Sequence, residues 1–276
     1  MNVERSPLWL AAMLALVLAE AGWRLACGRG YDGRAALTTL GLVLGNLPFA
    51  ALNAGLLSLM FGAVWAAAPV HWPADHWATW AGGFLAVEFA YYWFHRASHR
   101  IRWIWASHSV HHSAEQMTML ASLRLGWTNL FSAGWVLYMP LIFAGLPPFV
   151  LVALLAFNLR YQFFLHTEAV GRLGPIEWLL NTPAHHRLHH ASNPAYIDRN
   201  YGGVLIVFDR LFGTLAEEHP GESICYGLAH RLATANPLRL AFREWAMMLD
   251  DAWRARGWRA KARALFAPPG TTESIG

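Results

Sequence analysis

Charged side chains are scarce in this chain. Asp, Glu, Lys and Arg make up 14% of its 276 residues and 56% are hydrophobic, against roughly a quarter charged in ordinary soluble domains. That balance excludes an ordinary water-soluble globule and predicts an integral membrane protein. Cysteine is nearly absent as well: Cys27 and Cys225 are too few and too isolated for a disulfide framework or a thiolate metal site, and both read as inert. The basic residues form no tract and sit on no recognisable module, which excludes nucleic acid as a partner. No internal repeat, low-complexity stretch or second domain interrupts the chain, so 1–276 is read as one membrane domain. Its last dozen residues, with Pro268, Pro269 and Gly270, read as a tail.

Apolar runs are plentiful. A membrane span needs about 20 apolar residues, and four or more stretches qualify, near 7–23, 36–70, 78–94, 130–144 and 149–165. The first lacks a basic leader and a small-residue cleavage site, so it reads as a retained anchor and not a signal peptide. The second is too long for one ordinary span, and Asn46-Leu47-Pro48 within it predicts a kink or a break. Between the fourth and fifth, Gly145-Leu146-Pro147-Pro148 reads as a tight helical hairpin. The fold class expected is an all-α membrane protein of four to five transmembrane helices with a histidine-rich helical cap.

Arginine and lysine mark the cytoplasmic side of short loops. With five spans, Arg24, Arg29, Arg34, Arg96, Arg100, Arg102, Arg124 and Arg172 share one face with everything basic after them, and only Arg5 lies opposite. The N-terminus is then outside and the cap cytoplasmic, at a bacterial inner membrane. A net charge of +4 suits anionic headgroups. Trp103, Trp105 and Trp127 are expected at headgroup depth. The segments 203–215 and 238–266 read as cap pieces, lying either on the membrane surface or as an ordinary amphipathic cover.

Histidine is the residue in excess. Nine of the fourteen fall in three groups, HRASH (His95, His99), HSVHH (His108, His111, His112) and HHRLHH (His185, His186, His189, His190), with His166 alone between the second and third. Neutral imidazole suits iron, zinc, copper and nickel, and a single ion seldom takes more than four or five protein ligands, so eight to ten histidines indicate two metals. HxxxH and HxxHH place their rings on one helix face. A metal transporter would be expected to carry polar groups near mid-membrane on discontinuous helices, whereas these groups begin where spans end. A zinc hydrolase would usually show HExxH, and no such motif occurs.

The three groups in this order, the first closing a membrane span and the third followed by NPAYIDRNYGG and FDRLFGT, resemble the fatty acid hydroxylase or sterol desaturase superfamily over about 84–215, with the third box most similar to the alkylglycerol monooxygenase-like bacterial branch. The resemblance implies a membrane-bound non-haem diiron enzyme that uses O2 and two electrons to hydroxylate or desaturate a lipid. It implies His95, His99, His108, His111, His112, His186, His189 and His190 as metal ligands, and His166 matches an additional histidine of the family. His185 is a further candidate ligand. Gln162 and Asn158 either reach an iron through water or satisfy each other within the bundle. No haem-binding or ferredoxin-like domain is fused, so the electrons are expected from a separate reductase, ferredoxin or cytochrome b5-like protein, or from a reduced pterin.

Ligating histidines need their second ring nitrogen held. Glu88 shares a helical stripe with Tyr92, His95 and His99, and an ionisable group at that depth is functional by default. Asp198 and Glu115 are its counterparts outside the spans. Arg96 and Arg187 are expected to bind carboxylates or lipid headgroups, and Glu20 to form a structural pair with Arg24 one turn away.

Overall fold

The structure is a computed structural model that describes residues 7–228 and 234–270. Arg5 and the tail beyond Gly270 lie outside the described residues. The described chain is helical, and its two bridges, Leu180 with Leu205 and Ala191 with Tyr226, are isolated.

Helix α1 runs Pro7–Ala26 and α2 Gly33–Ala66. Asp32 starts α2 by accepting from the Arg34 and Ala35 amides, the usual work of an N-cap carboxylate. The helix continues unbroken past Pro48 for 34 residues, about 51 Å against a hydrocarbon core of about 30 Å. Its first turns account for the excess. Thr38 Oγ1 donates to the Ala235 carbonyl, and Leu42 packs with Trp127, Leu240 and Ala241 in the cap.

Helix α3 spans Trp77–Arg100, and α4, Arg102–His108, follows after one residue. Short 3-10 turns at His111–Ser113 and Met119–Leu123 complete this part of the cap. The single span expected over 130–144 is instead broken into α5 (Asn129–Ser132), a 3-10 turn (Gly134–Tyr138) and α6 (Met139–Phe143). Ala133 takes a left-handed φ of 57°. Gly134 lies so close to Phe94 that a Cβ would sit 2.5 Å from its ring. Tryptophan indoles satisfy carbonyls that the break exposes: Trp103 Nε1 donates to Phe131 O and Trp135 Nε1 to Leu130 O.

The turn at 144–147 then feeds α7, Pro148–Leu165. It is tied to the 67–76 loop by Trp72 N donating to Gly145 O at 2.8 Å. Helices α8 (Pro183–His189), α9 (Val207–Leu211), α10 (Pro237–Arg254) and α11 (Trp258–Phe266) build the rest of the cap.

By length and apolarity, three helices among the described residues qualify to cross a membrane: Leu8–Ala26, Gly33–Ala66 and Pro148–Leu165, with Gly134–Phe143 a shorter apolar piece. Helix α3, at 24 residues, is long enough, but Glu88, His95, Arg96, His99 and Arg100 make its second half polar. The apolar core, from Phe61, Val87, Ile142, Leu146, Val150 and Leu154, joins α2, α3, α6 and α7. The polar ends of α1, α3 and α7 meet the cap at one end of this bundle, and the histidines lie there.

Candidate metal centre

Helix α3 ends with His95 and His99 one turn apart. His108 closes α4, and His111 and His112 form the 3-10 turn after it. His166 caps α7, and α8 presents His186, His189 and His190 at i, i+3 and i+4. These elements gather nine rings into two groups, His95, His99, His108, His112 and His189, and His111, His166, His186 and His190. Within each group the ligand atoms lie within 4.8 Å of one another. His112 and His190 stack at 4.3 Å and join the groups.

The ring nitrogens face each other at distances that suit ligands of a shared ion. His111 Nδ1 points at Arg124 O (3.3 Å) and His166 Nδ1 at Gln162 O (2.6 Å). A carbonyl only accepts, so each ring keeps its proton on Nδ1. Burial holds His111 neutral, lowering its pKa to about 4. Two bare Nε2 lone pairs are then left 3.1 Å apart. That contact is repulsive unless a cation lies between them, and about 3.0 Å is the separation of two nitrogens at right angles around an ion with bonds of about 2.1 Å. In the five-ring group, His95 Nδ1 donates to Tyr201 O (2.8 Å) and His189 Nδ1 to Arg199 O (2.9 Å). His95 Nε2 lies 3.1 Å from His108 Nε2, which is 3.2 Å from His112 Nε2. The buried Nε2 atoms of His99, His189 and His190 have no hydrogen-bond partner among the described residues. Burial, and then neighbouring histidines, keep the His108, His112, His186 and His190 rings neutral, and His189 is lowered to about 3. Nine neutral rings with convergent lone pairs fit a pair of metal ions.

His185 stays out of both groups. It precedes the HxxHH face by one residue, about 100° around the axis, and its ring falls within the fields of Glu177 and Arg210 instead. Glu88, buried to 1% exposure, does not touch a histidine. Its Oε1 accepts from Asn158 Nδ2 (2.6 Å), and its Oε2 from the Val204 and Leu205 amides (2.8 and 2.9 Å). It pins the loop whose Tyr201 and Arg199 carbonyls orient His95 and His189. Sequence reasoning missed these backbone partners because a carbonyl leaves no residue-type signal. Asn158 Oδ1 takes Gln162 Nε2 (2.5 Å), and Gln162 Oε1 takes the Tyr91 hydroxyl, so the two amides satisfy each other. Asp198 Oδ1 lies 3.7 Å from His99 Nδ1, while Oδ2 accepts from Arg100 (2.9 Å).

Other expectations shift too. Arg187 donates to the Thr167 and Val170 carbonyls, and Arg96 donates to Tyr92 Oη within the fields of Asp198 and Asp209. Trp105, half-buried, packs on the His99 and His112 rings, and Trp127 is buried with Nε1 donating to Leu42 O. Arg24 pairs with Glu168 at 2.6 Å, which leaves Glu20 to other partners. In the 203–215 segment, residues 203–206 and Asp209 are buried in the cap while Leu211 is exposed. Glu115 makes no hydrogen bond to a histidine among the described residues.

A cavity of about 410 Å³ opens beside the five-ring group. His99, His112, His189 and His190 line it together with Leu240, Arg243 and Met247 of α10.

Fold and site together define an all-α membrane protein with a histidine-built centre able to hold metal. The chain matches the Fatty acid hydroxylase family over residues 80–214. It is 41% identical over 198 residues to the alkylglycerol monooxygenases of Xenopus tropicalis and of Homo sapiens, an overlap of 72% of this chain and 44% of each relative. To an ornithine lipid hydroxylase of Rhizobium tropici it is 27% identical over 159 residues, 58% of this chain and 48% of that one. The chain belongs to the fatty acid hydroxylase family. It spans less than half the length of these relatives. No solved structure matches it.

Proposed function

We propose that this protein is a membrane-bound diiron oxygenase that inserts oxygen into, or desaturates, a lipid with O2 and two electrons from a separate donor. The observation that carries the proposal is the facing pair of His111 and His166 lone pairs, repeated in kind around nine buried rings. The five-ring and four-ring groups each hold one iron, and the bound irons supply the oxidising power needed for an unactivated C–H bond. All-nitrogen ligation by both groups suits a redox-active iron.

The protein's own groups do the rest. Carbonyls of Tyr201, Arg199, Gln162 and Arg124 hold protons on Nδ1 and aim Nε2 inward. Asp198 faces the His99 ring from the cavity side, its Oδ1 3.7 Å from Nδ1. The 410 Å³ cavity beside the five-ring group accepts the reacting part of the substrate. The alkylglycerol monooxygenase and ornithine lipid hydroxylase relatives support a polar lipid as substrate. The arginine distribution supports a cytoplasmic centre reached by a protein reductant or a reduced pterin.

Comparative lipidomics of a host with and without the chain tests this. A lipid gaining one oxygen or losing two hydrogens is expected, and an unchanged lipidome despite an expressed, metal-loaded protein contradicts it.

A further inference from the structure

Besides Glu88, three carboxylates outside the histidine groups are buried among the described residues, Glu20, Glu177 and Asp209, and two of them bear on the rings. Asp209, at 0% exposure, lies on α9, and Glu20, at 4%, lies on α1, a helix outside the family match of 80–214. Neither contacts a histidine, yet each grips the backbone that orients one group of rings.

Asp209 Oδ2 accepts from the Gly202 amide at 2.7 Å. That N–H belongs to the same planar peptide unit as the Tyr201 carbonyl, which receives His95 Nδ1 at 2.8 Å. Holding one edge of the plane sets the direction of the other. Asp209 Oδ1 takes the Tyr201 amide and the Thr214 hydroxyl, at 2.8 and 2.7 Å. The next plane is treated the same way: the Asn200 amide, which shares its peptide unit with the Arg199 carbonyl that receives His189 Nδ1, donates to Thr214 O at 3.0 Å. Both histidines belong to the five-ring group.

Glu20 serves the other group by the same logic. One oxygen accepts the hydroxyl of Thr167, the residue after His166. The other accepts the Met119 amide at 2.6 Å, at the start of the turn Met119–Leu123, which Arg124 caps. The Arg124 carbonyl receives His111 Nδ1. Glu20 thus ties together the supports of His111 and His166, the two rings whose lone pairs face each other at 3.1 Å.

We propose that Asp209 and Glu20 are positioning residues, one per metal: Asp209 presets the five-ring group through the 199–202 peptide planes, and Glu20 presets the four-ring group through Thr167 and the Met119–Leu123 turn. The proposal rests on the reading that the two groups hold metal. It goes beyond that reading by assigning each half of the centre its own remote anchor, one of them on the first helix.

The test is metal content per chain, with chelator competition for affinity, on protein purified in lipid nanodiscs. The parent is expected to hold two ions. Asp209→Asn should retain one firmly and bind the other at least 10-fold more weakly, in the range typical of lost outer-shell partners, and Glu20→Gln should do likewise at the opposite group. Double variants assign the loss. Asp209→Asn combined with His189→Ala should lose no more than one ion, whereas combined with His186→Ala it should lose both, and the pattern reverses for Glu20→Gln. General destabilisation would not respect this division. Thr214→Val and Thr167→Val, each deleting one hydrogen bond, carry the same test if the carboxylate variants fail to insert. Variants that keep two firmly bound ions, or that weaken both groups equally, overturn the proposal alone, while a parent that binds no metal overturns the proposed function with it.

Discussion

Replacing Glu88 by glutamine probes how a membrane-buried carboxylate acts on a site it does not touch. The side chain accepts three hydrogen bonds, from Asn158 Nδ2 and the Val204 and Leu205 amides, at 1% exposure. Alanine would leave three buried donors unpaired, at about 1–3 kcal/mol each. The sum rivals the total stability of a typical domain, about 5–15 kcal/mol, so Glu88→Ala is expected to misfold. Glutamine is gentler. Its carbonyl can keep the Val204 and Leu205 amides, and its NH2 finds an acceptor once the Asn158 and Gln162 amides flip in turn, ending on the Tyr91 hydroxyl, which accepts as readily as it donates. What is lost is the charge assistance on two backbone bonds, about 1 kcal/mol each. About 2 kcal/mol in the preference of the loop that aims His95 and His189 corresponds to roughly 30-fold in affinity or rate. Chelator competition for the metal of the five-ring group, alongside product formation, measures it. A Glu88→Gln protein with parental metal affinity and parental turnover would refute the reasoning.

Three further outcomes are expected. His185→Ala should keep its metal while His186→Ala loses an ion, because only the second ring joins a group, and equal metal content in the two variants would contradict the assignment. Metal-stripped protein should be most stable above about pH 6.5 and weaken as pH falls toward about 4, since rings such as His111 and His189 titrate near 4 and 3 when folded but near 6.5 when unfolded. The unfolded state therefore binds more protons in that window, each ring contributing up to about tenfold per pH unit in the folding equilibrium, and a melting temperature that is flat or rises on acidification would contradict it. The exposed thiols Cys27 and Cys225 lie at the histidine end, so in intact cells a permeant maleimide should label them and an impermeant one should not. Labelling by the impermeant reagent would place the centre outside.

The apolar runs and the histidine spacing were legible because both are local. HxxxH and HxxHH put their rings on one face wherever the helix lies, and a long apolar stretch is helical wherever lipid surrounds it. The break in 130–144 was not legible, because it depends on Phe94 and Ile104 from other elements pressing against Gly134. His185 reads like its neighbours in the string and differs only in helix phase. Glu88 stood out by depth, but its partners are amides at 204 and 205, more than a hundred residues away and without side-chain identity. Glu20 was paired with Arg24 by proximity along α1, whereas the fold gives Arg24 to Glu168 and Glu20 to Thr167.

The central claim is that nine neutral imidazoles hold two irons in adjacent groups. Elemental analysis of the protein purified in nanodiscs after growth with iron and zinc both supplied tests it most directly. Two irons per chain, falling to about one when His166 or His189 is replaced by alanine, is the result this account predicts. A single zinc, or metal content unchanged by either substitution, would contradict it.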